Sequence, residues 1–230
     1  MSTEKNSAHS KWNISRALTI IQAASGLTFQ TFLTLHFLTH LSANISIDRA
    51  NALIKVFRTY YQNPAVEGVV VAGSAFVHIV SSFAKVYLRR RLKASLDEAN
   101  KDKMKEKRAG PLLELPSARQ LHHWAGYFLA FFIIPHTFGT RFGPDVPAGG
   151  MDMYGIRNIL IHEGMVFYPG YILAASAGIY HMVLGGLWGL RNLSFIKILK
   201  SKNQGRIVNC VIIVSTLGVI SSLLTTGGLW

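Results

Sequence analysis

A run of 20 residues, from Tyr171 to Leu190, contains no Asp, Glu, Lys or Arg. A helix of that length crosses the hydrocarbon core of a bilayer. One histidine, His181, lies near its middle, and its neighbours at helical spacing are small: Ala174, Ala177, Gly178 and Gly185. This strip of small residues predicts either a slot for a flat group or very close packing against another helix.

Four further apolar runs are near the length of a membrane span. We therefore predict an all-α integral membrane protein, a bundle of five transmembrane helices that occupies residues 18–230 after an N-terminal tail, 1–17. The predicted spans are about 18–41, 66–88, 121–140, 166–190 and 207–224.

The basic residues support this topology. Of the 24 Lys and Arg residues, 19 lie in the tail, in the fourth-to-fifth connection, or between Lys85, near the end of the second span, and the start of the third. The other two connections hold 5, and such an asymmetry is typical of alternating membrane sides. Because the net charge of +13 sorts by membrane side, we expect membrane lipid and no nucleic acid as a partner.

Two other features limit the alternatives. The single cysteine, Cys210, excludes an internal disulfide and covalent attachment of haem through two thiols. The stretch from Arg89 to Arg108 predicts a solvated, partly helical extension of the second helix that determines topology, with contact to anionic headgroups as the alternative. The N-terminus lacks the pattern of a cleaved secretory or transit peptide, so any targeting to an organelle is expected to be uncleaved.

Histidines occur in each of the first four predicted spans: His36 and His40, then His78, His136 and His181. Ionisable side chains inside membranes are costly and usually functional. Neutral imidazole binds iron well, and two rings at similar depth on different helices can hold a haem. His78 and His181 lie near the middles of helices that run in the same direction, so we predict them as axial ligands of haem iron.

A second pair is predicted from the first and third spans. It consists of His136 with either His36 or His40, although Phe29, Phe32, Leu33 and Phe132 leave less room there. One haem b is therefore expected, and two if this pair also binds. The alternative is that membrane histidines bond across helices only as structural supports. The remaining histidines, His9, His122, His123 and His162, are assigned no ligand role.

Five helices with histidines in the first four resemble the membrane-anchor cytochrome b of succinate dehydrogenases and fumarate reductases of the single-subunit, dihaem type. The resemblance implies that the second helix pairs with the fourth and the first with the third. Carried over, it gives His78 with His181, and His36 or His40 with His136.

Several segments are similar to the mitochondrial adapter family best known from fungi, whose outer-membrane proteins have the same five-helix layout. They are Tyr60–Pro64 followed by Glu67, His78 with Arg89–Arg91, Gly126–Tyr127, Pro135–His136, and His181 with Gly185–Gly189. The resemblance implies a role in mitochondrial lipid homeostasis and in recruiting a lipid-transfer protein at membrane contacts. The resemblance also implies that members which recruit such a protein carry a Pro-x-Pro docking motif in a cytosolic tail. The tail here has no proline, so this route of recruitment is not expected.

We therefore expect a multi-pass protein of a mitochondrial membrane, the outer rather than the inner, that binds haem b and acts as an adapter or lipid-homeostasis factor. No nucleophile triad, phosphate loop or flavin domain is evident, so we expect no enzyme activity of its own. The first alternative is an electron-transferring anchor subunit of a quinone-linked dehydrogenase, with respiratory-complex subunits as partners. The second is a structural bundle without a cofactor.

Overall fold

A computed structural model of the chain describes residues 2–99, 116–194 and 204–229, and all regular structure in these ranges is helical. The predicted all-α class is confirmed for this part of the chain. In chain order the helices are α1 (Ser2–Ser42), α2 (Ile47–Tyr61), α3 (Pro64–Val66), α4 (Ser74–Ala99), α5 (Ala118–Thr137), α6 (Met153–Asn192) and α7 (Gln204–Thr226). Two π-helical segments, Glu67–Gly73 and Phe138–Phe142, precede α4 and follow α5.

Four stretches of the described residues are long and apolar enough to cross a membrane: Ile14–Ser42, Pro64–Ala94, Met153–Asn192 and Gly205–Thr226. They overlap the first, second, fourth and fifth predicted spans, which is compatible with a multi-pass membrane protein. Helix α5 coincides with the third predicted span but is not among the four. Its sequence is less apolar, because His122, His123 and Pro135 interrupt it.

The bundle exposes its large apolar side chains and buries small ones. Val69, Phe131 and Val214 are 71%, 78% and 69% exposed. The buried residues include Ala23, Ala174, Ala175, Ser74, Ser81 and Ser222. Small residues let helices approach closely, whereas large apolar side chains on the outside are stable where lipid covers them. This distribution fits helices that pack together within a bilayer.

Helix α1 lies at the centre of the bundle, in contact with α2, α4, α6 and α7, and α5 packs on α6. At its start α1 extends through the stretch predicted as a tail, since the helix begins at Ser2. Helix α4 continues to Ala99, past the expected end of its span at Leu88. The rest of the basic loop, to Arg108, lies largely outside the described residues.

Helix α2 fills a connection in which the sequence analysis predicts no helix. Ser46 caps its first turn by accepting a hydrogen bond from the backbone N–H of Arg49, at 3.1 Å. Ala50 and Ile54 on its buried face pack against Met153 at the start of α6. The apolar face of α2 is thus covered by other parts of the same chain.

The loop before α6 is fastened to α2 through main-chain carbonyls. Arg58 donates from its guanidinium to the carbonyls of Gly150 and Met151, and Gln62 donates to the carbonyl of Gly149 at 2.6 Å. Gly149 and Gly150 have φ values of +92° and +93°, which side-chain-bearing residues rarely adopt. The loop, for which the sequence predicts a turn, is therefore held against α2 by these hydrogen bonds.

Helix α6 combines two elements that the sequence predicts separately. Its first part was expected to be an interfacial segment, Tyr154–Glu163, and its second part the span from residue 166. The structure joins them in one continuous run with a kink at Glu163, where φ is −119° and ψ is 19°. Beyond the kink the helix continues to Asn192 and carries His181.

The two π-helical segments place one additional residue in a helical turn. In the first, the N–H of Ser74 donates to the carbonyl of Val69, and in the second the N–H of Gly143 donates to that of Phe138 at 2.6 Å. Both bonds join residues five apart, rather than the four of an α-helix. Segments of this kind are frequent at functional sites, and here one lies just before His78 and the other just after His136.

Candidate cofactor site formed by two histidine pairs

The histidines of α4 and α6 lie opposite each other across the bundle. The ring centroids of His78 and His181 are 6.1 Å apart, and the ring planes are 85° from parallel. From these histidines, both helices continue to the side that carries most of the Lys and Arg. We call His78 and His181 the basic-side pair.

Each ring of the basic-side pair bonds a main-chain carbonyl on a neighbouring helix. The Nδ1 of His78 lies 2.9 Å from the carbonyl oxygen of Gln22, and the Nδ1 of His181 lies 3.1 Å from that of His122. A carbonyl oxygen only accepts, so Nδ1 carries the proton and donates in both rings. The Nε2 lone pair of each ring is then left for a metal ion, the arrangement that orients histidine ligands in metalloproteins.

The separation of the two rings fits axial binding to one metal ion. A nitrogen bound at about 2.0–2.1 Å, and about 1.1 Å from its own ring centroid, gives two opposed rings a centroid separation of about 6.3 Å. The observed 6.1 Å agrees with this distance. Direct hydrogen bonding between two imidazoles would also require a protonated Nε2, which the two carbonyl contacts do not favour.

Two glycines provide the room for these rings. A Cβ atom built on Gly26 would lie 2.7 Å from the Nδ1 of His78, and one built on Gly126 would lie 2.8 Å from the Cε1 of His181. Any larger residue at either position would displace the imidazole. Gly26 and Gly126 are therefore part of the support of the basic-side pair.

The second pair consists of His36 in α1 and His136 in α5, and we call it the opposite-side pair. Its ring centroids are 6.0 Å apart at an angle of 75°, close to the values of the basic-side pair. The ring of His40 lies edge-on to His36, with a centroid distance of 4.8 Å. Of the two predicted partners for His136, His36 has the separation expected of an axial pair.

Aromatic rings support the opposite-side pair. Phe32 stacks on His36 with an interplanar angle of 22°, and Phe132 stacks on His136 at 21°. The phenyl groups that were expected to leave less room therefore flank the imidazoles. The Nδ1 atoms of His40 and His136 are buried and have no hydrogen-bond partner among the described residues.

Helix geometry gives the distance between the two pairs along the bundle. His36 follows Gly26 by ten residues in α1, and His136 follows Gly126 by ten residues in α5. Since Gly26 contacts His78 and Gly126 contacts His181, each helix spaces the pairs by about 15 Å at 1.5 Å per residue. The two independent helices agree on this spacing.

A continuous cavity of about 940 Å³ connects the pairs, and all four imidazoles line it. That volume lies at the upper end of the range of about 300–1,000 Å³ for ligand sites. Much of the lining is apolar and aromatic, including Leu129, Ile133 and Tyr171. Cations line both ends: Lys85, Arg89, Arg119 and Arg191 on the basic side, and Arg58 and Arg141 on the opposite side.

A polar network connects His78 to the basic end of the cavity. Lys85 donates from Nζ to the side-chain oxygen of Gln22 at 2.6 Å, and the Gln22 amide donates to Ser82 at 2.7 Å. Ser82 in turn donates to the carbonyl of His78 at 2.6 Å. Gln22 thus holds the ring of His78 with its main chain and the adjacent turn of α4 with its side chain.

On the opposite side, the cation Arg141 is paired. It donates to both carboxylate oxygens of Glu67, at 2.8 and 3.2 Å, and so joins the two π-helical segments. These hydrogen bonds raise the pKa of the Arg141 guanidinium. Burial in the same region raises the pKa of the Tyr61 phenol, mainly by desolvation. The phenol is therefore neutral at physiological pH.

The small strip on α6 serves both of the alternatives that the sequence left open. Cβ atoms on Gly178, Gly186 and Gly189 would contact Phe37, Gln30 and Leu27 of α1 at 3.0, 2.6 and 3.2 Å, so these glycines permit close helix packing. Other members of the strip, such as Ala174 and Gly185, line the cavity.

Several residues of the site had no sequence signal. The carbonyls of Gln22 and His122 are main-chain groups that any residue provides, and Gly26 is one of 20 glycines. His122 was assigned to a helix end. It lies in the second turn of α5, and its ring centroid is only 4.0 Å from that of His181. Its position fourteen residues before His136 and four before Gly126 would have placed it on the same face.

Within the described residues, no three His, Cys, Asp or Glu side chains form a group that could hold a bare metal ion. A haem requires only two protein ligands, because its macrocycle supplies the others.

Comparisons of the chain with protein-family models, curated proteins and solved structures gave no match.

Proposed function

We propose that this chain is a haem-binding membrane protein in which His78 and His181 are the axial ligands of one haem b. The observation that carries the proposal is the basic-side pair itself. Its centroid separation of 6.1 Å matches that of two rings bound to one metal ion, and its two Nδ1 hydrogen bonds to carbonyls leave the Nε2 lone pair of each ring for the metal. The proposal includes α5 as a membrane span, the third in chain order, which brings the bundle to five spans.

We further propose that His36 and His136 bind a second haem b. The ring separation of 6.0 Å supports this assignment, as do the stacked Phe32 and Phe132. His40 lies beside the pair and can accept or donate a hydrogen bond there. The chain would then carry two haems, one above the other along the bundle.

Haem b held by two imidazoles accepts and releases one electron and has no open coordination position. The residues of the chain determine how it is held. The carbonyls of Gln22 and His122 fix the orientation of the ligand rings, and Gly26 and Gly126 give those rings space.

The first experiment is a reduced-minus-oxidised visible spectrum of the detergent-purified full chain, with a pyridine haemochrome assay of haem content. We expect a low-spin b-type spectrum that decreases in His78→Ala and His181→Ala. The exposed His162 provides a matched control, since His162→Ala should retain the full spectrum. A folded wild-type protein that stays colourless after addition of haemin would overturn the proposal.

A second candidate function is electron transfer across the membrane. The specific observation in its favour is the spacing of about 15 Å between two ligand pairs aligned along the bundle, which would place one haem near each membrane side. Redox titration tests it: two separate midpoint potentials and reduction of both haems by a quinol are expected. Co-purification of a flavoprotein and an iron-sulfur protein would extend it to a respiratory anchor.

The role of adapter or lipid-homeostasis factor at mitochondrial contacts stays a prediction that the family resemblance implies. Its test is separate from that of haem binding. Protease protection and carbonate extraction of isolated organelles would identify the membrane, and affinity purification would identify a lipid-transfer protein as partner.

A further inference from the structure

The side chain of His122 is a buried polar group that the proposed haem ligation does not use. Both of its ring nitrogens are shielded from solvent and have no hydrogen-bond partner among the described residues. The ring lies against His181, at 4.0 Å between centroids, and against Trp188 at 4.8 Å. Leaving a buried polar group unsatisfied costs about 1–3 kcal/mol, so such groups usually have a partner.

The same end of the cavity has an excess of positive charge. Lys85, Arg89, Arg119 and Arg191 all line it, and the Lys85 ammonium donates to the neutral side-chain amide of Gln22. Glu67 is the only carboxylate among the described residues that line the cavity, and it pairs with Arg141 on the opposite side. The basic end is thus suited to an anion that enters from the cavity.

We infer that His122, Lys85 and Arg89 form a carboxylate-binding pocket for the propionates of the haem held by the basic-side pair. This inference rests on the proposed function. The imidazole of His122 donates one hydrogen bond, and Lys85 and Arg89 supply charge-assisted bonds at the rim. The carboxylates of a haem held by His181 would come within reach of His122 if they face the basic membrane side, because the ring of His122 lies 4.0 Å from that of His181 between centroids.

A lipid phosphate could satisfy the cations at the rim. It is a weaker match to His122, whose ring is enclosed between α5 and α6 beside His181. A Cβ on Gly185 would lie 3.0 Å from the Nε2 of His122, which shows how closely α6 covers this ring. An anion that reaches it must belong to a molecule inside the cavity.

The test compares haemin with haemin dimethyl ester, in which both carboxylates are blocked. It uses a His36→Ala/His136→Ala background, so that only the basic-side site remains, in a zwitterionic detergent free of anionic lipid. The release rate of each haem to apomyoglobin is measured for His122→Ala, Lys85→Gln and Arg89→Gln. Controls are His162→Ala and Arg90→Gln, which remove exposed residues outside the cavity lining.

We expect His122→Ala to speed release of haemin by about tenfold and Arg89→Gln by about three- to fivefold, with the low-spin spectrum retained. The dimethyl ester should leave the parent protein about as fast as haemin leaves His122→Ala. The variants should release the two compounds at more similar rates than the parent does. If His122→Ala does not fold, the release rates of Lys85→Gln and Arg89→Gln are compared with that of the control Arg90→Gln in the same way.

The outcomes separate the two proposals. A parent protein that binds neither compound contradicts haem binding itself. A parent that binds haemin and its dimethyl ester equally well, with unchanged release in all three variants, overturns the carboxylate pocket while leaving the axial ligands in place.

Discussion

The two histidine pairs have nearly the same ring separation but differ in what holds the rings. In the basic-side pair, the Nδ1 of each ring donates to a carbonyl on another helix. In the opposite-side pair, stacked phenyl rings flank the imidazoles, and the Nδ1 of His136 has no partner in the described structure. Hydrogen bonds fix both the tautomer and the direction of a ligand, whereas stacking fixes mainly the plane of its ring. The rings of the basic-side pair are therefore better oriented for binding a metal ion than those of the opposite-side pair.

The largest expected effect is the loss of one haem when one pair is broken. His181→Ala should reduce haem content from two per chain to one and leave the spectrum of the opposite-side haem. His36→Ala should have the reverse effect. Haem content by pyridine haemochrome, with separate redox midpoints, measures this. Loss of both haems from either variant in a protein that remains folded would show that the pairs are not independent sites.

The next effect is steric and tests the support of the basic-side pair. Gly26→Ala and Gly126→Ala place a methyl group within 3 Å of a ligand ring, which has to move. We expect haem affinity at that site to fall about 10- to 100-fold, since overpacking costs about 1–3 kcal/mol. Gly170→Ala is the matched control, because a Cβ there meets nothing within 4 Å. Equal haem affinity in Gly26→Ala and Gly170→Ala would contradict the packing described.

A smaller effect is the order in which the haems are released. A hydrogen-bond partner on the other ring nitrogen of a metal-binding histidine is worth about 10- to 100-fold in metal affinity. The opposite-side haem, whose ligand His136 lacks such a partner, should therefore leave first, about tenfold faster than the other. Release to apomyoglobin from His36→Ala and His181→Ala, each with one site, gives the two rates. Faster release from the basic-side site would reverse the comparison.

The smallest effect concerns the ion pair of Glu67 and Arg141, whose side chains are 27% and 28% exposed. Glu67→Gln should lower thermal stability in detergent by about 1 kcal/mol, as expected for a partly exposed pair. Any spectral change should appear in the opposite-side haem alone. Asp145→Asn, at an exposed position, is the control. Identical melting of the two variants would mean that the pair adds no stability.

Sequence reasoning identified the histidines because that residue type is rare in apolar runs. It could not choose between His36 and His40, since positions four apart share a helix face and differ by about 6 Å in depth along the axis. Which of them meets His136 depends on how far α1 and α5 are shifted along each other. It also missed α2, in which polar and apolar residues are nearly balanced. The carbonyls of Gln22 and His122 that hold the ligand rings are main-chain groups, so these two contacts depend on how the helices pack and cannot be inferred from residue type.

At the π-helical segment before α4, the number of residues matters more than their identity. Each residue of a helix turns the next one by about 100°, so the number of residues between Pro64 and His78 sets the direction of that histidine. An in-frame deletion of one codon within Glu67–Gly73 would remove the additional residue, convert the segment to an ordinary α-helix and leave the direction of His78 nearly unchanged. One codon inserted there would exceed what the segment already accommodates and would turn the His78 ring by about 100°, away from its partner on α6. We therefore expect a single-codon insertion in this segment to be far more harmful to haem binding than a single-codon deletion.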